Sequence, residues 1–258
     1  MAESITMDND NWSKKIKNNF NKAANNYSEY CLIQKFFSKK IVKLLKGLDI
    51  NKGDWFDLGS GTGLLADDIE KCFLKQKVCR VDFCNKMLLM NKKESKKILW
   101  DLNKGLHPSI KNAPLLVSNF CIHWLNNPEK ILESWFMKLQ SGGKLIISYP
   151  TNNCFLEWKN TCKNNQIEYT GLIFPKEKNM LKNFSPNEII TSNNYSYREN
   201  YPDIYKLFRS IINTGAQSSI TKNFSVGEFK RLAKCWPKDK KGFVELSWEI
   251  NILILSKP

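Results

Sequence analysis

Residues 55 to 65 read WFDLGSGTGLL, and this stretch decides the fold. WFDL (55–58) is short and mostly apolar, as a buried strand is, and it carries Asp57 near its end. Gly59, Gly61 and Gly63 then allow a tight turn and a close backbone approach to a ligand, and LLADDIEKCF sets Leu64, Leu65, Ile69 and Phe73 on one helical face. A second strand, VCRVD (78–82), ends in Asp82, 21 residues after Gly61, where a carboxylate can accept hydrogen bonds from both hydroxyls of a ribose. The spacing is not that of a dinucleotide site, because Leu64 stands where G-x-G-x-x-G/A needs a small residue. A P-loop is excluded because no Gly-Lys-Ser/Thr occurs.

Working outward, the chain keeps alternating. Residues 27–48 place Tyr30, Ile33, Phe37, Ile41, Leu44 and Leu48 at helical steps. After the second strand come a helix over 85–97, short strands at 98–100 and 113–118, a helix opened by Pro128, and a fifth strand at 145–149. Strands alternating with helices predict a parallel α/β sheet covered on both faces. From about residue 151 polar, aromatic and proline residues mix without that rhythm. VGEFKRLAKCW (226–236) then reads as a helix, and Val244, Leu246, Trp248, Ile250, Ile252 and Ile254 alternate as in a strand that rejoins the sheet. The expected organisation is an N-terminal helical cover (1–48), a Rossmann-like core (49–150), an inserted lid or substrate region (151–225) and a C-terminal helix and strand (226–258).

Composition narrows the function. The formal charge of +15 comes from 40 basic side chains, of which only Arg80, Arg198, Arg209 and Arg231 are arginine. Nucleic-acid readers favour arginine for bidentate contacts, so no nucleic-acid partner is expected. Either the lysines steer an acidic partner to the surface, or they simply solvate it. The eight cysteines form no CxxC pair and only His107 and His123 could join them, so no metal site is expected and reduced thiols in a cytoplasmic protein fit. The first twenty residues lack a continuous apolar stretch, and no membrane span or export segment is expected. Both histidines are expected to be structural. Oligomeric state is not readable from the sequence.

The pattern D-x-G-x-G-x-G after the first strand resembles the first motif of class I S-adenosylmethionine (SAM) methyltransferases. The rest of the first half is similar to that family as well. VDFCNKML (81–88) resembles the segment whose acidic residue holds the ribose, WDLN (100–103) the segment that approaches the adenine, VSNFCIHWL (117–125) the end of strand four, and LQSGGKLIIS (139–148) the turn into strand five, with Ser141 in place of the usual proline. The resemblance implies a mostly parallel seven-stranded sheet, SAM as cofactor, and Asp57, Gly59, Gly61, Gly63, Asp82, Asp101, Leu102, Ser118 and Asn119 as cofactor-binding residues.

Beyond these motifs the whole chain resembles the malonyl-acyl carrier protein O-methyltransferases of biotin synthesis, in particular their cyanobacterial branch. FNKAANNYSEYCLIQK (20–35), NNCFLEWKNTCKNN (152–165) and LFRSIINTGA (207–216) carry this likeness. It implies methylation of the free carboxylate of a malonyl thioester, with acyl carrier protein or coenzyme A as the carrier. A carboxylate acceptor is already ionised and needs positioning in a dry pocket more than a base. Related enzymes anchor the carboxylate on a lid arginine, but residues 151–197 contain none. Arg198, Arg209 or Lys182 is left to replace it, with Arg209 the candidate and a surface role on a helix the competing reading. Tyr27, with a ring and a hydroxyl, is the candidate contact to the acceptor, or else a packing residue. Trp124 is the third expected substrate contact. Another small carboxylic acid or a quinone precursor is the alternative acceptor.

Overall fold

The computed structural model describes residues 9–217 and 224–258. The first eight residues of the expected cover, and with them part of the reading on export, lie outside the described residues, as do residues 218–223 of the expected lid. The described chain starts with α1 (Asn9–Ala23), α2 (Tyr27–Tyr30) and α3 (Leu32–Leu45). The core follows as β1 (Trp55–Leu58), α4 (Leu64–Cys72), β2 (Val78–Asp82), α5 (Asn85–Leu89), β3 (Lys97–Leu99), β4 (Ala113–Asn119), α6 (Pro128–Met137) and β5 (Leu139–Pro150). The second half adds α7 (Leu156–Asn164), α8 (Glu177–Leu181), β6 (Ile189–Tyr201), α9 (Ile204–Asn213), α10 (Val226–Cys235) and β7 (Val244–Ser256).

The seven strands form one sheet in the order β3-β2-β1-β4-β5-β7-β6. β3, β2, β1, β4 and β5 run parallel, and β7 joins β5 antiparallel. Parallel strands need helices on both faces, so β1 and β2 are buried throughout and their sequences read as apolar runs. One face packs Phe37 and Ile41 of α3 and Leu65 and Ile69 of α4 against Leu115, Val117 and Ile252. The other packs Leu132, Trp135 and Phe136 of α6 against Phe56, Leu58 and Leu116. Each of these large apolar side chains contributes about 1.5–3 kcal/mol by leaving water. The order in which the chain adds strands reverses between β1 and β4, and a crevice opens there at the carboxyl ends of the strands.

Three elements differ from the sequence expectation. The helix expected over 27–48 is interrupted at Cys31, whose φ and ψ of −81° and 50° leave the helical region. The helix expected over 85–97 stops at Leu89, because the Asn91 side chain donates to the Met87 carbonyl (3.0 Å) and to the Gly61 carbonyl (2.9 Å), tying the chain to the glycine turn. The seventh strand, β6, comes from inside the segment expected to be lid, and pairs antiparallel with β7 along its length. It lies at the sheet edge, where one side of the strand faces no partner strand, so polar residues such as Asn193, Asn194 and Asn200 are tolerated and its periodicity is masked.

Behind the glycine turn lies a feature that charge counting missed. Arg80, in the middle of β2, is completely buried, with Nη2 2.7 Å from Asp67 and Nη1 3.0 Å from Glu70, both on α4. A buried cation left without its partners costs about 3–5 kcal/mol, so this cluster pins α4 to β2 and fixes the turn between them.

Candidate functional site

At the β1/β4 crevice a cavity of about 330 Å3 is lined by the strand ends on one side and by α1, α2, α7, α9, β6 and β7 on the other. Its first half is made from backbone and carboxylates. The Gly59 and Ser60 N–H groups donate to the Val81 carbonyl at 2.8 and 3.0 Å, which brings the glycine turn beside the end of β2. A side chain at Gly59, where φ is +73°, would overlap the Cys121 sulfur, so the turn and the segment after β4 touch at van der Waals distance. Gly61, with φ +54°, lines the cavity, and a Cβ there would meet no protein atom within 4 Å.

Asp82 is held by two backbone donors, Gly61 N–H to Oδ2 (2.8 Å) and Cys84 N–H to Oδ1 (2.7 Å). Burial raises its pKa while these donors oppose the rise, and each oxygen keeps a lone pair for a ligand in the cavity. Asp57 accepts from the Ala66 N–H at 3.2 Å through Oδ2, while its buried Oδ1 has no protein partner. Burial pushes the Asp57 carboxyl up to about 7, with the Arg80 charge working against it. Asp101 accepts from Asn103 N–H at 2.9 Å beside buried Leu102, and both line the cavity. An orphaned buried carboxylate oxygen, a glycine whose Cβ position is open, and a fixed carboxylate at the end of β2 together fit a nucleoside-type ligand carrying a diol and a positive group.

The second half is aromatic. Phe155 stands edge-on to Trp248 at 4.4 Å and to Phe174 at 5.4 Å, and Trp158 packs on Phe208 at 4.7 Å. Phe120 and Phe155 both adopt positive φ, 57° and 62°, a conformation that costs a non-glycine residue about 1–3 kcal/mol and that recurs at ligand sites. His123 stands against Phe174 and Phe120, its Nδ1 buried without a partner, and burial pushes its pKa down to about 3. Among the described residues one carboxyl group lies within these rings, that of Glu199, which accepts from Trp248 Nε1 at 2.9 Å.

The residues expected from sequence separate into two groups. Tyr27, Asp57, Gly59, Gly61, Asp82, Asp101, Leu102, Asn119 and Trp124 all line the cavity. Gly63 instead forms the turn into α4, and Ser118 is a buried strut whose hydroxyl donates to the Leu58 carbonyl at 2.7 Å. Asn119 also clips α3 to the sheet, donating to the Gln34 carbonyl at 3.0 Å. Trp124 stacks on Trp12 at 6.5 Å and meets Phe20 edge-on at 5.3 Å, which seats the N-terminal helices over the crevice. Tyr27 packs with Phe20, Ala24 and Met87, and burial first, then Cys31 and Asp82, raises its phenol well above the ordinary value.

Arg209 is a correction. It is exposed and lines no part of the cavity, because α9 turns Phe208 and Ile211 inward and Tyr205, Lys206 and Arg209 outward. Arg198 is paired with Glu245 at 3.6 Å on the exposed face of β6, and Lys182 is exposed. Among the described residues no lysine or arginine lines the cavity. His107 lines no part of the cavity and is bonded to Ser109 at 2.7 Å, whereas His123, also expected to be structural, is in the cavity wall. Glu199, Phe155, Trp158 and Trp248 were not identified from sequence. The period-two pattern of the last strand marked Trp248 as facing inward, but nothing local marked Glu199.

Among the described residues no group of histidine, cysteine and carboxylate side chains could hold a metal ion, and no helix is long and apolar enough to cross a membrane. A family profile described as a methyltransferase domain matches residues 30–193. The chain is 26% identical over 208 residues to malonyl-[acyl-carrier protein] O-methyltransferase 2 of Coxiella burnetii, covering 79% of this chain and 81% of that one. It is 23% identical over 256 residues to malonyl-[acyl-carrier protein] O-methyltransferase 2 of Ilyobacter polytropus, covering 95% and 98%. Among solved structures, the fold is similar to that of YcgJ from Bacillus subtilis (TM-score 0.58, 11% identity, 86% of this chain and 98% of that chain). It is also similar to the plantazolicin methyltransferase BpumL in complex with SAH (TM-score 0.52, 13% identity, 97% and 100%).

Proposed function

The chain belongs to the methyltransferase-domain family, and from that premise we propose that it methylates the free carboxylate of a malonyl thioester carried by acyl carrier protein or coenzyme A. It is a SAM-dependent methyltransferase. Bound SAM supplies an electrophilic methyl group on a sulfonium centre. Asp82 offers its free lone pairs to the ribose hydroxyls, Asp57 its orphaned oxygen to the positive methionine end, and Asp101 and Leu102 flank the adenine.

The observation that carries the choice of acceptor is His123. Among the described residues it is the one imidazole in the cavity wall, and burial that pushes its pKa down to about 3 makes it a poor base for drawing a proton from an acceptor at neutral pH. An acceptor that arrives ionised, as a carboxylate does, needs no such help. Phe155, Trp158, Phe174, Phe208 and Trp248 strip water from it, and a dry carboxylate is a stronger nucleophile than a hydrated one. The names of the Coxiella and Ilyobacter relatives support a malonyl thioester as the source of that carboxylate. The narrower likeness to the cyanobacterial branch rests on the sequence motifs alone.

In this scheme the described residues of the 1–48 segment act as the cover, and the described residues of the 151–225 segment, apart from the β6 strand, act as a lid over the acceptor. Eight free cysteines suit the cytoplasm, and the lysine-rich surface suits an acidic carrier protein. The test is incubation with SAM and malonyl-acyl carrier protein or malonyl-CoA, followed by mass spectrometry. The expected product is the monomethyl ester, roughly 14 Da heavier than the free acid. Modification of a different small acid or of a quinone precursor, with both malonyl thioesters untouched, overturns the acceptor.

A further inference from the structure

The charged side chains around the cavity pose a problem for an anionic acceptor. Asp57, Asp82 and Asp101 belong to the cofactor half. Glu199 is the fourth carboxyl group among the described lining residues, and it stands in the aromatic half, where the acceptor must sit. No described lysine or arginine reaches that half, and His123 is neutral. Two ionised carboxylates in one dry pocket repel strongly, and such pairs share a single proton. For methyl transfer the acceptor must be the ionised member.

Resting on the proposal of a carboxylate acceptor, we infer that Glu199 binds it as a carboxylic acid, donating its hydrogen to a carboxylate oxygen where related sites use a cation. The surroundings are built to hold Glu199 in place. Trp248 Nε1 donates to Oε2 at 2.9 Å, and Tyr201, whose hydroxyl accepts from Ser210 Oγ at 2.8 Å, stands two residues along on the same face of β6. With Oε2 taken by Trp248, Oε1 is the oxygen to carry the proton. On the face of β6 that holds Glu199, the other titratable groups are Tyr195, Tyr197 and Tyr201. β7 presents Leu246 and Trp248 opposite, α9 presents Ser210, and Lys40 of α3 stands over the Tyr195 ring at 4.1 Å. Burial raises the Glu199 carboxyl above its ordinary value, with Trp248 and Tyr201 opposing the rise. The proton is not transferred in the reaction. It stays on Glu199 and passes from hydrogen-bonding the carboxylate to hydrogen-bonding the ester carbonyl.

A carboxylic acid that must keep its proton makes activity fall as pH rises, whereas a cationic anchor such as arginine does not. Initial rates with malonyl-CoA from pH 6 to 9.5, in the wild type and in Glu199→Gln, test this. The amide introduced by Glu199→Gln is a permanent neutral donor of nearly the same shape as the carboxylic acid. The wild-type kcat/KM is expected to decline about tenfold per pH unit once Glu199 ionises, while Glu199→Gln stays flat and within about threefold of the wild-type plateau. Glu199→Ala is expected to lose tenfold or more in kcat/KM with SAM affinity unchanged by calorimetry, which also shows that the variant is folded.

A wild-type profile flat to pH 9.5 overturns the inference, as does a tenfold loss in Glu199→Gln with the wild-type pH dependence retained. Lys222 lies outside the described residues, and a larger loss in Lys222→Met than in Glu199→Ala moves the anchor there and overturns it too. If the wild type forms no malonyl ester at any pH, the acceptor proposal itself fails and the role of Glu199 falls with it.

Discussion

The two halves of the cavity are built on different principles. The cofactor half is a set of short loops at the ends of adjacent parallel strands, and its polar atoms are fixed by backbone hydrogen bonds such as those from Gly61 and Cys84 to Asp82. The aromatic half, proposed to hold the acceptor, draws side chains from α7, α9, β7 and the segments after β4 and α7, and its one described carboxyl group comes from an edge strand. Backbone contacts within about thirty residues leave a spacing signature in the sequence. Side chains gathered from distant segments leave almost none.

The most damaging substitution expected in the cofactor half is Asp82→Ala. It removes the ribose acceptor and also frees the Gly61 and Cys84 N–H groups. With hydrogen bonds to a charged group worth about 1.5–3 kcal/mol each, the SAM Kd measured by calorimetry is expected to rise roughly a hundredfold. An unchanged Kd would falsify the ribose assignment.

The glycine turn offers a finer cut between fold and site. Gly59→Ala forces a Cβ into Cys121 and is expected to destabilise the protein by about 3 kcal/mol in denaturant unfolding. Gly61→Ala has only left-handed backbone strain to bear, about 1–2 kcal/mol, but its Cβ enters the cofactor space, so SAM binding is expected to fail while the fold persists. Equal stability losses in the two variants, with equal SAM affinity, would erase the distinction between a packing glycine and a binding one.

The smallest effect is expected at Arg209. Since it points outward from α9, Arg209→Ala is expected to change kcat/KM for malonyl-CoA less than about twofold and to leave the unfolding free energy within about 0.5 kcal/mol. A loss of tenfold or more would return this arginine to the acceptor site and break the contrast between a polar cofactor half and an aromatic half with no lysine or arginine among its described residues.

Particular residues show where the sequence was legible. Asp57, Gly59, Gly61 and Asp82 could be placed because strand, glycine turn and second strand are contiguous, and the parallel sheet leaves only one geometry for them. Ser118 had the right position along β4, yet strand alternation turned its hydroxyl into the core toward Leu58. Arg209 lay in a family-like stretch, but one step of about 100° along a helix separates it from the inward-facing Phe208. β6 was hidden because an edge strand does not need the apolar run that identifies a central one. Arg80 could not be distinguished from a surface arginine until α4 supplied Asp67 and Glu70.

The sequence by itself determined the α/β alternation, the position of the glycine turn and the carboxylates that stand beside it in the cavity wall, because each depends on local spacing and on the hydrophobic period of two or 3.6 residues. Tertiary structure alone decided the acceptor half. Pairing of β6 with β7 brought Glu199 against Trp248, and folding of α7 and α9 over that edge enclosed both in aromatic rings. The physical reason is that burial, not residue type, sets how far a carboxyl group's hold on its proton rises, and burial there depends on segments about fifty residues apart.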